Sequence, residues 1–301
     1  MKKFLFIFIT VVFSFAIIIN TCNEDDNYEY LDAESEEFMS SSVEMSPSNN
    51  EDFNEQENTD SQPVLGNDEN VDSEAIEIPR LTQALPEQIL HRIGYTLSYN
   101  NSTKNANWVA WHLTKEHTDG PWSRDGIPYS VDNDVKGARQ ELDDWENHNL
   151  PIDHGHLCPA GDNKWDKQAL EETFLLTNMC PQYSSLNQGD WKYLEERSRG
   201  WARNYGDVYI VCGPIFYSSN YRTIGANKVG VPDAFYKVVL CLTKKPKGLG
   251  FIYPNNAEHH KIQHYVRTID EVEEVTGIDF FFNLPDDIED SVESHSDISR
   301  W

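Results

Sequence analysis

Asp153-His154-Gly155-His156-Leu157-Cys158-Pro159-Ala160-Gly161-Asp162 is the stretch on which the reading of this 301-residue chain turns. Phe174-Leu175-Leu176-Thr177-Asn178-Met179-Cys180-Pro181-Gln182 follows downstream, then Asn187, Trp191, Glu195 and Arg199. A histidine of near-neutral pKa suits removal of a proton from water, a contribution of about 10²–10⁴-fold. A hard cation held through oxygen offsets charge growing on a leaving oxygen. Magnesium keeps most of its waters, so one or two protein oxygens suffice, and the amide of Asn187 offers one. Glu195 and Arg199 are four residues apart and share a helical face, which sets a carboxylate beside a guanidinium. These are the parts that phosphodiester hydrolysis needs, although spacing alone does not single that reaction out.

Outward from this block, order is expected to begin near Ile78 and to run to Leu284, enough chain for one domain with a substantial core. Tyr95–Tyr99 and Trp108–Leu113 alternate like paired strands. Val208–Cys212 and Phe235–Leu242 are rich in Val and aromatic residues, as strands are. Helices are expected over 168–174 and 191–205, the second with Trp191, Leu194, Ser198 and Trp201 on one side. Thr268 and Glu271 form a capping-box pattern for a helix that stops at Gly277. Strands and helices mix without a βαβ rhythm, so the fold class expected is α+β. The sequence has no internal repeat and no phosphate-loop or dinucleotide glycine pattern.

The motifs together resemble the DNA/RNA non-specific endonuclease family, nucleases with a ββα-metal (His-Me finger) site that include secreted bacterial nucleases and mitochondrial endonuclease G. That family's signature is D-R-G-H with a following P-A, then S-N-x-x-P-Q, then N-x-x-x-W-x-x-L-E. The likeness extends upstream to Leu97–Asn100 and Trp108–Ala110. Downstream it takes in Val211–Pro214, Val231–Lys237 and Thr276–Phe281, so it covers about residues 90–285 in order. It implies a central, mainly antiparallel sheet flanked by helices. It also implies His156 as general base, Asn187 as direct ligand of Mg2+ (Mn2+ or another divalent cation being the alternatives), and Glu195 as holder of a water on that metal. Arg199 would contact phosphate, Asn178 would support the catalytic group, and Arg124 is a further phosphate contact. His154 stands where the family has arginine. An imidazole lacks the permanent charge and forked donors of that residue, which puts phosphate binding at this point in doubt. The reading requires the His156 ring to face the Asn187 amide across a phosphate-sized gap and to stay open to solvent. DNA and RNA are the implied substrates, with little sequence preference because backbone phosphate, not base edges, would be gripped.

The formal charge of −27 offers no support for a nucleic-acid partner. It is concentrated at the ends, however. Residues 23–79 hold 19 acids and no Lys or Arg, and 286–301 hold six acids and one Arg, whereas 80–285 carry 26 acids against 21 bases. The divisions expected are therefore a signal peptide over 1–22, an acidic disordered linker over 23–79, the nuclease domain over 80–285 and an acidic tail over 286–301. Lys2 and Lys3 precede an apolar run, and Cys22 before Glu24-Asp25-Asp26 loosely fits a lipoprotein signal. A lipidated Cys22 would anchor the chain to a membrane; a plain cleaved signal and a retained anchor also fit. Export, to the cell surface, the periplasm or the medium, is common to the first two. Cys158, Cys180, Cys212 and Cys241 permit two bridges in three pairings, with Cys212 and Cys241 as candidate neighbours and free buried thiols as the alternative. His154, His156 and Cys158 also invite a zinc reading, but no second ligand pair accompanies them; His259, His260 and His264 look metal-like too, and read first as a solvated helix face. Trp108, Trp111, Trp191 and Trp201 read as core before base-stacking platforms. Two rival functions fit the same residues: a catalytically weakened nuclease fold that binds nucleic acid, and a surface adhesion lipoprotein.

Overall fold

Residues 234–241 are buried along their whole length, as a strand covered on both faces must be. The computed structural model describes residues 75–146, 148–243 and 245–301. The expected signal segment with Cys22, and the expected linker as far as residue 74, lie outside the described residues. In chain order the strands are β1 (Arg80–Leu81), β2 (Gln88–His91), β3 (Thr96–Asn100), β4 (Asn105–Thr114), β5 (Ile152–His156), β6 (Met179–Tyr183), β7 (Asp207–Ile215), β8 (Thr223–Ile224), β9 (Val229–Gly230), β10 (Ala234–Cys241), β11 (Lys247–Pro254), β12 (Val266–Arg267) and β13 (Ile278–Asp279). The helices are α1 (Lys167–Glu172), α2 (Ser184–Gln188), α3 (Asp190–Tyr205), α4 (Ile269–Thr276) and α5 (Asp286–Glu293).

Seven strands form an antiparallel sheet in the order β12-β11-β10-β7-β4-β3-β2. Their side chains alternate between two cores. Val109, Trp111 and Leu113 of β4, with Ile210 and Cys212 of β7, face the core that holds Trp191, Leu194 and Trp201 of α3. Trp108, Ala110, Val211, Tyr236 and Val238 face the other core, closed by Ile269 and Val272 of α4 and Val292 of α5. All four tryptophans are core residues, as expected. The α+β class holds, with helices on both faces of one sheet. Helix α4 has the predicted capping box between Thr268 and Glu271 and ends at Gly277 in the left-handed region, a cap worth about 1 kcal/mol.

Two expectations change. Cys212 pairs across the sheet with Lys237, so Cys241 lies four residues further along β10. That is roughly 13 Å at strand rise, beyond the reach of a disulfide, and all four cysteines are buried free thiols. The acidic segment 286–301 is folded onto the domain rather than trailing from it. Val292 is buried, Trp301 packs at a tilt against Trp201 (4.9 Å between ring centroids), and Lys247 Nζ donates to the Arg300 carbonyl at 2.6 Å. Asp286, Asp287 and Asp290 lie exposed on a short amphipathic helix while Val292 and Glu293 turn inward, a segment that charge counting alone reads as a tail.

Beside the sheet, β5 and β6 make a separate antiparallel hairpin that leads directly into α2 and α3. Gly155 sits opposite Cys180 in it. A Cβ there would lie 2.5 Å from the Gln182 side chain and 3.0 Å from the Cys180 carbonyl, so only glycine allows the strands this approach. The hairpin and helix α3 form the ββα unit that carries the chemistry.

Candidate active site

The register of β5 against β6 carries Asp153, His154 and His156 to the rim of an open cleft of about 790 Å³. Asn187 of α2 and Glu195 and Arg199 of α3 line the same cleft, as does Arg124 from the loop before α1. Every site residue singled out in the sequence therefore converges here except Asn178. That residue is fully buried and works behind the wall. Its Oδ1 accepts from Cys158 N at 2.9 Å, and its Nδ2 donates to the carbonyls of Cys158 and Thr173, each at 2.9 Å. It clamps the main chain just after His156, in keeping with support and not with contact to substrate.

Asn187 is oriented by Asp153. The carboxylate accepts from Asn187 Nδ2 at 3.0 Å, from Gln188 Nε2 at 2.8 Å and from Ser184 Oγ at 2.6 Å. Burial pushes Asp153 upward, but these three donors win and hold it below the usual carboxylate range. With its amide nitrogen turned to Asp153, Asn187 keeps its carbonyl oxygen, the one acceptor of the side chain, to offer the cleft. Arg199 is held in the same way. Its Nη1 donates to Asp162 Oδ1 at 2.8 Å, and Asp162 Oδ2 accepts from Trp111 Nε1 at 3.1 Å. Gly161 makes room, since a Cβ there would lie 2.8 Å from Arg199 Nη1. The partner of Arg199 is thus Asp162 and not its helical neighbour Glu195, which leaves the Glu195 carboxylate uncommitted.

The two histidines differ in setting. His154 is sandwiched between Tyr129 and Trp145, with ring centroids 4.1 and 3.9 Å away and near-parallel planes. Burial pushes its pKa down to about 4, so it is a neutral stacked ring at neutral pH and not a cationic phosphate ligand. His156 is 9% exposed, packed edge-on against Phe174 at 5.1 Å. Burial first, then the nearby Arg124 and His154 charges, push it down to about 3. The ring lines the cleft, but its Nε2 is screened from solvent and has no hydrogen-bond partner. The requirement of an open ring is not met in this structure: the ring borders the cleft, but it is buried, with Phe174 and Tyr129 crowding it. The zinc reading is not met: the Cys158 thiol is buried and receives Asn163 Nδ2 at 3.2 Å, away from the sandwiched His154. His260 stacks on His264 and His259 leans on Asp190.

Sequence reasoning passed over three contributors. Asp153 and Asp162 stood in the motif without a role. Lys237 is wholly buried on the α3 face of β10, its ammonium 4.4 Å from the Trp191 ring and 5.5 Å from Trp111, with no hydrogen-bond partner. The signal was present in the pattern: Phe235, Lys237, Val239 and Cys241 share a face, and a lysine amid apolar positions of a buried strand is out of place. Its charge bears on Glu195 from below. Burial raises Glu195 to about 7, opposed first by Lys237 and then by Arg199.

That raised value makes a prediction. Below about pH 4.5 the carboxyl is neutral in folded and unfolded chains alike, and its burial costs nothing; above about pH 7 it is ionised in both, and the cost is complete. Glu195→Gln is expected to raise the Tm of chelator-treated protein relative to wild type at pH 8, and the gap should close towards pH 4.5. An equal difference at both pH values would show that Glu195 is not desolvated.

An antiparallel sheet bearing a ββα unit, with histidine and asparagine lining one polar cleft, is the architecture of a ββα-metal nuclease. The DNA/RNA non-specific endonuclease family model matches residues 72–287, and the chain belongs to that family. Mitochondrial endonuclease G of Bos taurus is 30% identical over 210 residues, covering 65% of this chain and 70% of the relative. A nuclease of Syncephalastrum racemosum is 33% identical over 219 residues, covering 65% and 68%. A nuclease of Nostoc sp. is 31% identical over 214 residues, covering 67% and 76%. Among solved structures, endonuclease G in its complex with the inhibitor EndoGI superposes with a TM-score of 0.62 at 26% identity, over 67% of this chain and 90% of that one. The protein is accordingly a non-specific nuclease that hydrolyses nucleic acids.

Proposed function

We propose that this nuclease cleaves DNA and RNA by metal-dependent hydrolysis with His156 as general base and Asn187 as the protein's direct ligand to a magnesium ion. The observation that carries the proposal is the shared cleft: His156, Asn187, Glu195 and Arg199 line one cavity from three different elements. The donor set fits a hard cation. Asn187 offers a neutral oxygen whose orientation Asp153 sets, Glu195 adds an uncommitted carboxylate, and neither thiol nor imidazole competes. When bound, the ion supplies positive charge that stabilises the leaving 3′ oxygen and so favours 5′-phosphate ends.

The chain's own residues do the rest. His156 stays neutral at physiological pH and has one nitrogen free of any protein partner. It can take a proton from water as that water attacks phosphorus, once Phe174 and Tyr129 part enough to admit it. Arg199, fixed by Asp162, and Arg124, whose guanidinium lies 5.5 Å from the Phe174 ring, meet the phosphate with permanent charge. Lys192 adds a third base to the cleft wall. The cleft is therefore more basic than a chain of formal charge −27 suggests. His154 is removed from phosphate binding by its aromatic sandwich, and shapes the wall instead. We further read residues 1–22 as an export signal, Cys22 as a lipidation point, 23–79 as an acidic tether and 80–285 as the catalytic domain, which places the enzyme outside the cytoplasm.

The direct test is nicking of supercoiled plasmid and hydrolysis of single-stranded RNA by the full chain, with Mg2+ and with EDTA. Both activities should appear with the metal and vanish with the chelator. Nucleic-acid binding without cleavage would favour the weakened-fold reading. His154→Arg should retain or raise turnover, because a guanidinium can stack between Tyr129 and Trp145 while adding charge. A large loss in that variant would mean that the neutral ring has its own catalytic duty.

A further inference from the structure

On the far face of the sheet from α3, helices α4 and α5 bring Asp270, Glu273 and Glu293 together, with a ligand oxygen of each within 4.8 Å of the others. Asp270 and Glu273 are three apart and share the α4 face, while Glu293 closes α5. Glu293 is only 6% exposed, and its Oε1 is shut off from solvent without any hydrogen-bond partner. A buried carboxylate oxygen left unpaired is costly unless something neutralises it. The surroundings do the opposite. The charges acting most strongly on Glu293 are Glu273, Glu289, Asp270 and Asp279, all acidic. Arg80, a base that acts on the neighbouring Glu289, is engaged with Asp279 and the Phe282 ring. Glu273 Oε1 accepts from Phe280 N at 2.7 Å, a bond that leaves the second carboxylate oxygen uncommitted.

We propose that Asp270, Glu273 and Glu293 form a second divalent-cation site, of calcium type, that fastens the C-terminal helix to α4. Oxygens on one calcium ion stand at most about 4.8 Å apart at a bond length of about 2.4 Å, and the three ligand oxygens lie within that limit of one another, which is compatible with a shared ion. Calcium accepts irregular, carboxylate-rich, oxygen-only ligand sets, with water completing the shell on the exposed Asp270 side. A carboxylate binds the ion only when deprotonated, so protons are the competing occupants and calcium should bind more tightly as pH rises. The ligands belong to neither the ββα unit nor the cleft, so the role is structural: α5 carries Val292 into the second core and leads to Trp301 on the first.

The test uses the full chain with CaCl2 as the probe, in an Asn187→Ala background that disables the proposed cleft ligand. At pH 8, Ca2+ should raise the Tm by several degrees over EDTA, and calorimetry should count one ion per chain. Glu293→Gln should abolish both responses while leaving magnesium-dependent nicking, measured in the otherwise wild-type chain, within about two-fold. Should Glu293→Gln fail to fold, the exposed Asp270→Asn should weaken calcium binding at least ten-fold. Absence of binding at millimolar Ca2+ would mean that protons alone neutralise the cluster. A Tm shift that survives both substitutions would place the ion elsewhere. Either result overturns the proposal, and neither bears on the catalytic assignment, which the plasmid assay reads.

Discussion

His156→Ala is expected to slow magnesium-dependent nicking by about 10²–10⁴-fold, the range for loss of a general base, while leaving cation affinity unchanged. The ring touches Phe174 and Tyr129 but holds up no core strand, and the adjacent main chain is fastened independently by Asn178. Loss of the imidazole therefore should not unfold the hairpin. Because burial pushes His156 down to about 3 in the free protein, the ring remains an unprotonated base across the neutral range. The acid limb of the pH–rate profile should then come from Glu195, raised to about 7, with activity falling as pH drops below that value. Cation binding will move this limb to lower pH, because a nearby positive charge favours the ionised carboxylate. An Ala variant at position 156 that keeps wild-type turnover would remove this residue from the mechanism.

Asn187→Ala should be nearly as damaging, but through a different quantity. Removing the one neutral oxygen that Asp153 aims into the cleft should weaken magnesium binding and lower activity by ~10²-fold or more at fixed metal, as several kcal/mol of charge stabilisation would imply. Raising the magnesium concentration should recover part of that loss in Asn187→Ala and none in His156→Ala. This crossed behaviour separates a ligand from a base. Identical metal responses in the two variants would show that the roles are not divided as proposed.

Much of this was legible in the chain before its fold was known. The alternation Trp108-Val109-Ala110-Trp111 does place successive residues in the two cores, and the capping box at Thr268 does open α4. The convergence of His156, Asn187, Glu195 and Arg199 followed from motif order. Three things were not legible, each for a physical reason. Neutralisation of His154 depends on Tyr129 and Trp145, which approach it from other segments. Arg199 pairs with Asp162, 37 residues away, where a helical neighbour was the local expectation. The C-terminal acids were read as a tail because a charge count does not see Val292 and Trp301 anchoring the segment. In each case the deciding partner is distant in sequence, and periodicity reports only on near neighbours.

Manganese can stand in for magnesium and scatters anomalously, so diffraction from crystals soaked in Mn2+ reads the geometry at the heart of the account. One anomalous peak should lie against the Asn187 side-chain oxygen, with the His156 ring across a gap that a single phosphodiester group can fill. A peak bonded elsewhere in the cleft, with Asn187 unligated, would contradict it.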